Sequence, residues 1–148
     1  MATCLGYHRI LSHRSLTLPK VLERCLITIA LPAGTPVQWI GNHRYHHAHA
    51  DEIVDPHSPI QEGFWYAHVG WYIGTSNSWA CFFYSLAGPC RTLLDGWIRP
   101  RTNQQYNHLS QDIARDGYYA LVSRPDIFLL ACITHVIAVF LTAYWFWG

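Results

Sequence analysis

Residues 125–147 read PDIFLLACITHVIAVFLTAYWFW, with no charged side chain after Asp126 and with Tyr144, Trp145 and Trp147 grouped at the far end. A bilayer core is crossed by about 20 consecutive apolar residues in helical form, and amphipathic aromatic rings collect where hydrocarbon meets headgroups. The stretch is therefore predicted to be a membrane-crossing helix, the competing reading being a buried helix of a soluble core. It sets the expected fold class: an all-α, integral-membrane helical bundle.

Working outward, residues 89–124 are polar, with the basic IRPRTNQQ and the acidic DIARD, and are expected to lie in water. SWACFFYSLAG (78–88) is apolar but only half a span long, and GFWYAHVGWYIG (63–74) carries the aromatic density of an apolar–polar boundary. VLERCLITIAL (21–31) follows Pro19, a reasonable helix entry, and is broken by Pro32, Gly34 and Pro36 before it reaches spanning length. It is expected to form an interfacial or re-entrant helix.

The 148 residues are 51% hydrophobic and 15% aromatic, ample for a core in a single domain. Ten Lys and Arg oppose nine Asp and Glu, so no basic footprint for nucleic acid exists. Five cysteines, odd in number and without a C-x-x-C pair, read as buried thiols in a reducing compartment. The start, MATCLGYHR, offers no signal-peptide core, and both ends are abrupt, which points to a piece of something longer.

The chemistry lies in the histidines. GNHRYHHAHADEIVDPHSP (41–59) holds five of them, on a segment expected to be helical from Val37 until Pro56 and Pro59 block continuation. At about 3.6 residues per turn, His43, His46 and His47 (i, i+3, i+4) fall on one face, a ligand geometry. His49 points well round the helix, to solvent or to a supporting role. His8 and His13, in GYHRILSHRS, are about 140° apart on a regular helix, and a helix end or a π-bulge would bring them together.

These five imidazoles exceed the needs of one tetrahedral zinc and suggest a dinuclear site, with Fe, Cu, Zn and Ni all admissible. A merely His-rich polar helix face is the plain alternative. Asp51 and Asp55 read as caps, turn residues or carboxylates holding imidazole N–H groups. His57, His68 and His108 are isolated and read as structural. His135, inside the span, reads first as a neutral imidazole facing neighbouring helices and second as functional. No nucleophile elbow, P-loop, dinucleotide fingerprint or H-E-x-x-H occurs.

With the H-x-x-x-x-H of GYHRILSHRS, the H-x-x-H-H of HRYHH, then DPHSP, GFWYAHVGW and QDIARDGYY in order, the chain resembles the integral-membrane fatty acid desaturases, specifically the Δ9 (stearoyl-type) branch. The resemblance covers nearly all of residues 1–148. It implies a membrane helical bundle with a cytosolic helical cap, and a di-iron, oxygen-dependent enzyme with His8, His13, His43, His46 and His47 as ligands. It further implies a long-chain fatty acyl substrate (CoA or lipid ester), O2, an electron donor such as cytochrome b5 or ferredoxin, and a cis double bond as product. The active site would face the cytosol, at the endoplasmic reticulum or a bacterial inner membrane.

The family's third cluster, a further H-x-x-H-H, and an N-x-x-x-H on its last span do not occur in this sequence, nor do the first span and most of the second. Residues 1–148 are accordingly expected to be a partial desaturase domain, not competent alone. Gly41-Asn42 and Gly74-Thr75 stand where the animal acyl-CoA branch has charged pairs that contact CoA, which tilts the acyl carrier towards a lipid or a differently bound CoA. The alternatives are a related His-box lipid hydroxylase or ketolase, and a non-catalytic metal-binding membrane remnant.

Overall fold

The computed structural model describes residues 1–101 and 104–148, so Thr102 and Asn103 of the IRPRTNQQ stretch lie outside the described residues. Among the described residues every regular element is helical and there is no strand. The all-α expectation holds.

The opening helix, Thr3–Ser12, is wound as a π-helix. Its last bond, His13 N–H to the His8 carbonyl at 3.0 Å, is the i→i+5 closure of that winding. The chain then turns sharply through Arg14, whose φ of 49° is left-handed. The second helix, Lys20–Ala30, begins after Pro19 and ends in the tight turn Leu31–Ala33, where Pro32 interrupts and Gly34 takes a φ of 131° that side chains disfavour. Thr35 then caps the histidine helix, Pro36–Ala48, accepting the Gln38 N–H at 3.4 Å, with Pro36 at the first helical position.

These three helices share a core with the segment before the long helix. Tyr7, Ile10 and Leu11 of the opening helix meet Ile27 and Ala30 of the second, Ile40 of the histidine helix, and Ile113 and Tyr119. Tyr7 is wholly buried and satisfies its hydroxyl by donating to the Gly34 carbonyl at 2.8 Å. Glu23 is also buried, held by Lys20 at 2.6 Å and by the Tyr119 hydroxyl. The histidine face is thereby carried on a packed platform.

Pro125–Trp147 forms one continuous 23-residue helix, long and apolar enough to cross a membrane. Only 11% of its apolar stretch is buried among the described residues, whereas the core helix of a soluble domain is mostly buried. Phe128 and Cys132 anchor its near end against Leu31 and Val122.

Within the polar 89–124 stretch, Gly88–Ile98 is a helix packed along the long helix, with Gly96 so close to Cys132 that an added Cβ would lie 3.0 Å from the cysteine Cβ. Leu93, Leu94 and Trp97 on that helix are exposed. The apolar spacing was masked by the charges of Arg91, Asp95 and Arg99, which fold inward: buried Asp95 accepts from Tyr72 at 3.1 Å and from Tyr84 and pairs with Arg99 at 3.3 Å. One expectation is corrected: the cysteines are not uniformly buried. Cys81 and Cys132 are, whereas Cys4, Cys25 and Cys90 are exposed, because each lies on the outward side of its helix.

Candidate metal centre

The π-winding of the opening helix decides the site. With i→i+5 closure, His8 and His13 point the same way and their rings lie 4.5 Å apart. On the histidine helix, His43 and His47, one turn apart, have ring centres separated by 4.5 Å. The two helices bring both pairs face to face: His8 is 4.8 Å from His43, and His13 is 4.8 Å from His47. One nitrogen from each of the four rings lies within 4.8 Å of the others, and the Nε2 atoms of His13 and His43 are 3.3 Å apart. An ion held at about 2.0–2.1 Å from each imidazole needs nitrogens about 3–4 Å apart. The cluster needs only a small contraction to reach that arrangement.

His46 stands outside the four, 6.5 Å from His43 and 5.5 Å from His47 between ring centres. Its Nδ1 meets both oxygens of Asp55, at 3.0 and 2.9 Å. Asp55 is buried and also accepts the N–H groups of Asp51 at 3.0 Å and His57 at 2.9 Å. Burial raises the Asp55 carboxyl, but the hydrogen bonds from His46 and the two backbone N–H groups outweigh it and the net shift is downward. The carboxylate is ionised, so Nδ1 of His46 carries the proton and Nε2 is its free donor atom.

The remaining histidines are dispersed. His49 pairs with Glu52 at 2.9 Å, His68 stacks on Phe64, His108 meets the Gln105 carbonyl at 2.9 Å, and His135 bonds back to the Ala131 carbonyl at 2.7 Å. His57 is the exception: its ring packs 4.4 Å from Trp71 and 5.5 Å from His46.

Burial and neighbouring charge favour the neutral form of His43, His47 and His57, and neutral imidazole is the form that binds metal. Burial, reinforced by the charge of His47, His8, His13 and His46, lowers His43 to about 3. Burial, followed by the charge of His13, His46 and His8, lowers His47. Burial and the nearby His46 bring His57 down to about 4, against a weaker upward pull from Asp55.

A cavity of about 410 Å³ opens beside His43 and His46, walled by Trp39, His57, Trp71 and Arg99. Trp39 stacks on His43 at 4.7 Å, one helical turn before it. The i, i+4 spacing of Trp39 and His43 was available in the sequence as a sign of this contact. Nothing local signalled Trp71 or Arg99, which arrive from distant segments.

No family profile matches the chain, and no solved structure does. Curated proteins match part of it. Over 71 residues, 47% of this chain and 22% of that protein, it is 54% identical to acyl-CoA 5-desaturase AL21 of Anemone leveillei. Over 71 residues it is 51% identical to the sn-2 palmitoyl-lipid 9-desaturase of Nostoc sp. (strain 36), covering 46% of this chain and 25% of that protein. Over 79 residues it is 47% identical to the sn-1 stearoyl-lipid 9-desaturase of Anabaena variabilis, covering 51% and 28%.

Over about half its length the chain is homologous to proteins named as fatty acyl desaturases.

The matched stretch spans about a quarter of those relatives' length. A desaturase homologue with a histidine cluster of metal-binding type and an apolar helix of spanning length is a membrane-associated protein. At Gly41 an added Cβ would collide with the Tyr106 carbonyl, so the position has no room for any side chain.

Proposed function

We propose that these residues form the part of a membrane-bound, oxygen-dependent fatty acyl desaturase that carries its first two histidine clusters. The reading is supported above all by the convergence of His8, His13, His43 and His47 to within one ion's reach. In it those four hold one iron and His46 offers Nε2 to a second, the remaining ligands lying outside this sequence. Iron bound there would supply the O2-dependent removal of two hydrogens from a saturated acyl chain, leaving a cis double bond, at Δ9 in this branch.

The chain's own residues prepare that chemistry. Low-pKa imidazoles remain neutral and available at neutral pH. Asp55 fixes the tautomer and ring direction of His46. Trp39 covers one face of His43, and the aromatic walls of the adjoining cavity align an acyl chain and exclude water. A CoA or lipid ester carries the substrate, cytochrome b5 or a ferredoxin supplies two electrons, and the site faces the cytosol. Residues 1–148 form the corresponding portion of a single desaturase domain.

The test is a chimera in which residues 1–148 replace the matching portion of a cyanobacterial 9-desaturase, expressed in a desaturase-deficient host. New monounsaturated chains support the reading. Hydroxylated or ketone products, identified by mass, would replace it with the hydroxylase alternative, and an inactive chimera that still binds metal would favour the non-catalytic metal-binding remnant. Residues 1–148 alone are expected to give no unsaturated product.

A further inference from the structure

Three segments of this chain meet at one carboxylate. Asp112, in the helical turn Gln111–Ala114, accepts a two-pronged bond from Arg44: Nη1 to Oδ1 at 2.6 Å and Nη2 to Oδ2 at 3.0 Å. Arg14 reaches Oδ2 as well, at 2.5 Å. The same Arg44 head donates to the Leu109 carbonyl at 2.7 Å and to the Leu11 carbonyl at 3.2 Å.

The positions of those arginines matter. Arg44 lies between His43 and His46, and Arg14 follows His13 directly. Leu11, whose carbonyl Arg44 holds, lies between His8 and His13 on the opening helix. The apolar contacts of Tyr7, Ile10, Leu11 and Ile40 hold the two helices together but are non-directional. The fork on Asp112 is directional, because a planar guanidinium meets a carboxylate in one plane and one register. It fixes how far the His8–His13 pair stands from the His43–His47 pair.

We propose that Asp112 is a positioning residue for the metal centre, setting the spacing of its two histidine pairs through Arg44 and Arg14 without touching a metal or substrate itself. This rests on the reading of the histidine cluster as a metal site. In the metal-free chain the clasp holds the nitrogens near ligand spacing, and loss of the clasp lets the two helices slide.

The experiment is a titration of the full chain in detergent with Co2+ alone, followed by the d–d absorption of the histidine-bound ion. Asp112→Asn is expected to raise the Co2+ dissociation constant about 10–100-fold, the usual cost of removing an outer support of a metal ligand, and to alter the band shape. Asp112→Glu recovers most of the loss. Arg44→Lys keeps the charge but loses the fork, and is expected to weaken Co2+ binding in the same way. It decides the matter should Asp112→Asn not fold. Glu23→Gln, in the core away from the site, lowers thermal stability and leaves Co2+ binding unchanged. Wild-type affinity and band shape in Asp112→Asn or Arg44→Lys overturns the proposal. If the wild-type chain binds Co2+ no better than His43→Ala/His47→Ala, the metal-site reading itself fails and the proposal falls with it.

Discussion

Asp55 and His46 form the closest carboxylate–imidazole pair of the site, with Nδ1 of His46 within 3.0 Å of both Asp55 oxygens. The carboxylate's side chain is fully buried, while the ring is partly exposed and faces the cavity. A buried acceptor that can only accept dictates where the imidazole proton sits, and therefore which nitrogen is left for a metal.

Asp55→Asn reverses that choice. An amide N–H can donate to Nδ1, pushing the ring proton to Nε2, the nitrogen left for a metal. Iron retained after desalting is expected to fall, with affinity at the His46 position down about 10–100-fold. The two backbone N–H groups that Asp55 also accepts lose part of their bonding, which costs about 1–3 kcal/mol in stability. Iron content equal to the wild type, measured by elemental analysis, would remove His46 from the ligand set.

The metal-free chain is expected to lose stability on mild acidification. His43 falls from its ordinary 6.5 to about 3 in the folded state, first through burial, and His57 to about 4 for the same leading reason. Below pH 6.5 the unfolded chain takes up protons that the folded chain refuses, so folding weakens as pH falls from about 6.5 towards the folded values. The thermal midpoint should drop between pH 7 and pH 4.5. The double variant His43→Ala/His57→Ala should flatten that slope, and an unchanged slope would mean that other groups carry it.

How much of this was legible in the sequence depends on the range of the interaction. The long helix could be read because twenty-odd apolar residues in a row have one physical use. His43 and His47 could be read as neighbours because helical spacing is local. The partnership of His8 with His13 required a π-wound backbone, named in advance only as one way to align them. Asp112 could not be found at all: its worth comes from Arg44 and Arg14, and neither pairing leaves a periodic trace. The inward packing of the Gly88–Ile98 helix was not legible for a related reason, since Asp95 and Arg99 look solvated in the sequence but are turned inward to each other and to Tyr72.

Gly41 offers a sharp steric test. It sits mid-helix between Ile40 and Asn42, where an added Cβ has nowhere to go because the Tyr106 carbonyl backbone lies against it. Gly41→Ala would raise the intrinsic propensity of an isolated helix by about 1 kcal/mol. In the folded chain the clash is expected to outweigh that gain and destabilise by about 1–3 kcal/mol. The Tyr45–Tyr106 stack, with centroids now 4.1 Å apart, would loosen with it. Chemical denaturation gives the stability change, and equal or greater stability for Gly41→Ala would show that the 104–110 segment is not held at this distance.

Glu23 and Tyr119 test the platform independently of the site. The buried carboxylate depends on the Tyr119 hydroxyl and on Lys20, and burial together with the bond to Glu23 raises the tyrosine's pKa, so it remains a donor throughout the usual range. Tyr119→Phe strands part of a buried charge and should cost about 1–3 kcal/mol. Glu23→Leu with Tyr119→Phe removes both partners and fills the space with apolar atoms, so it should cost less than the sum of the two single changes. A double-mutant cycle by thermal denaturation measures the coupling. A coupling near zero would mean that the second helix and the Gly117–Val122 helix are held by the packing of Ile27 and Ala30 against the Tyr119 ring and by the Thr28–Tyr118 contact, with the Glu23 carboxylate hydrated rather than bonded.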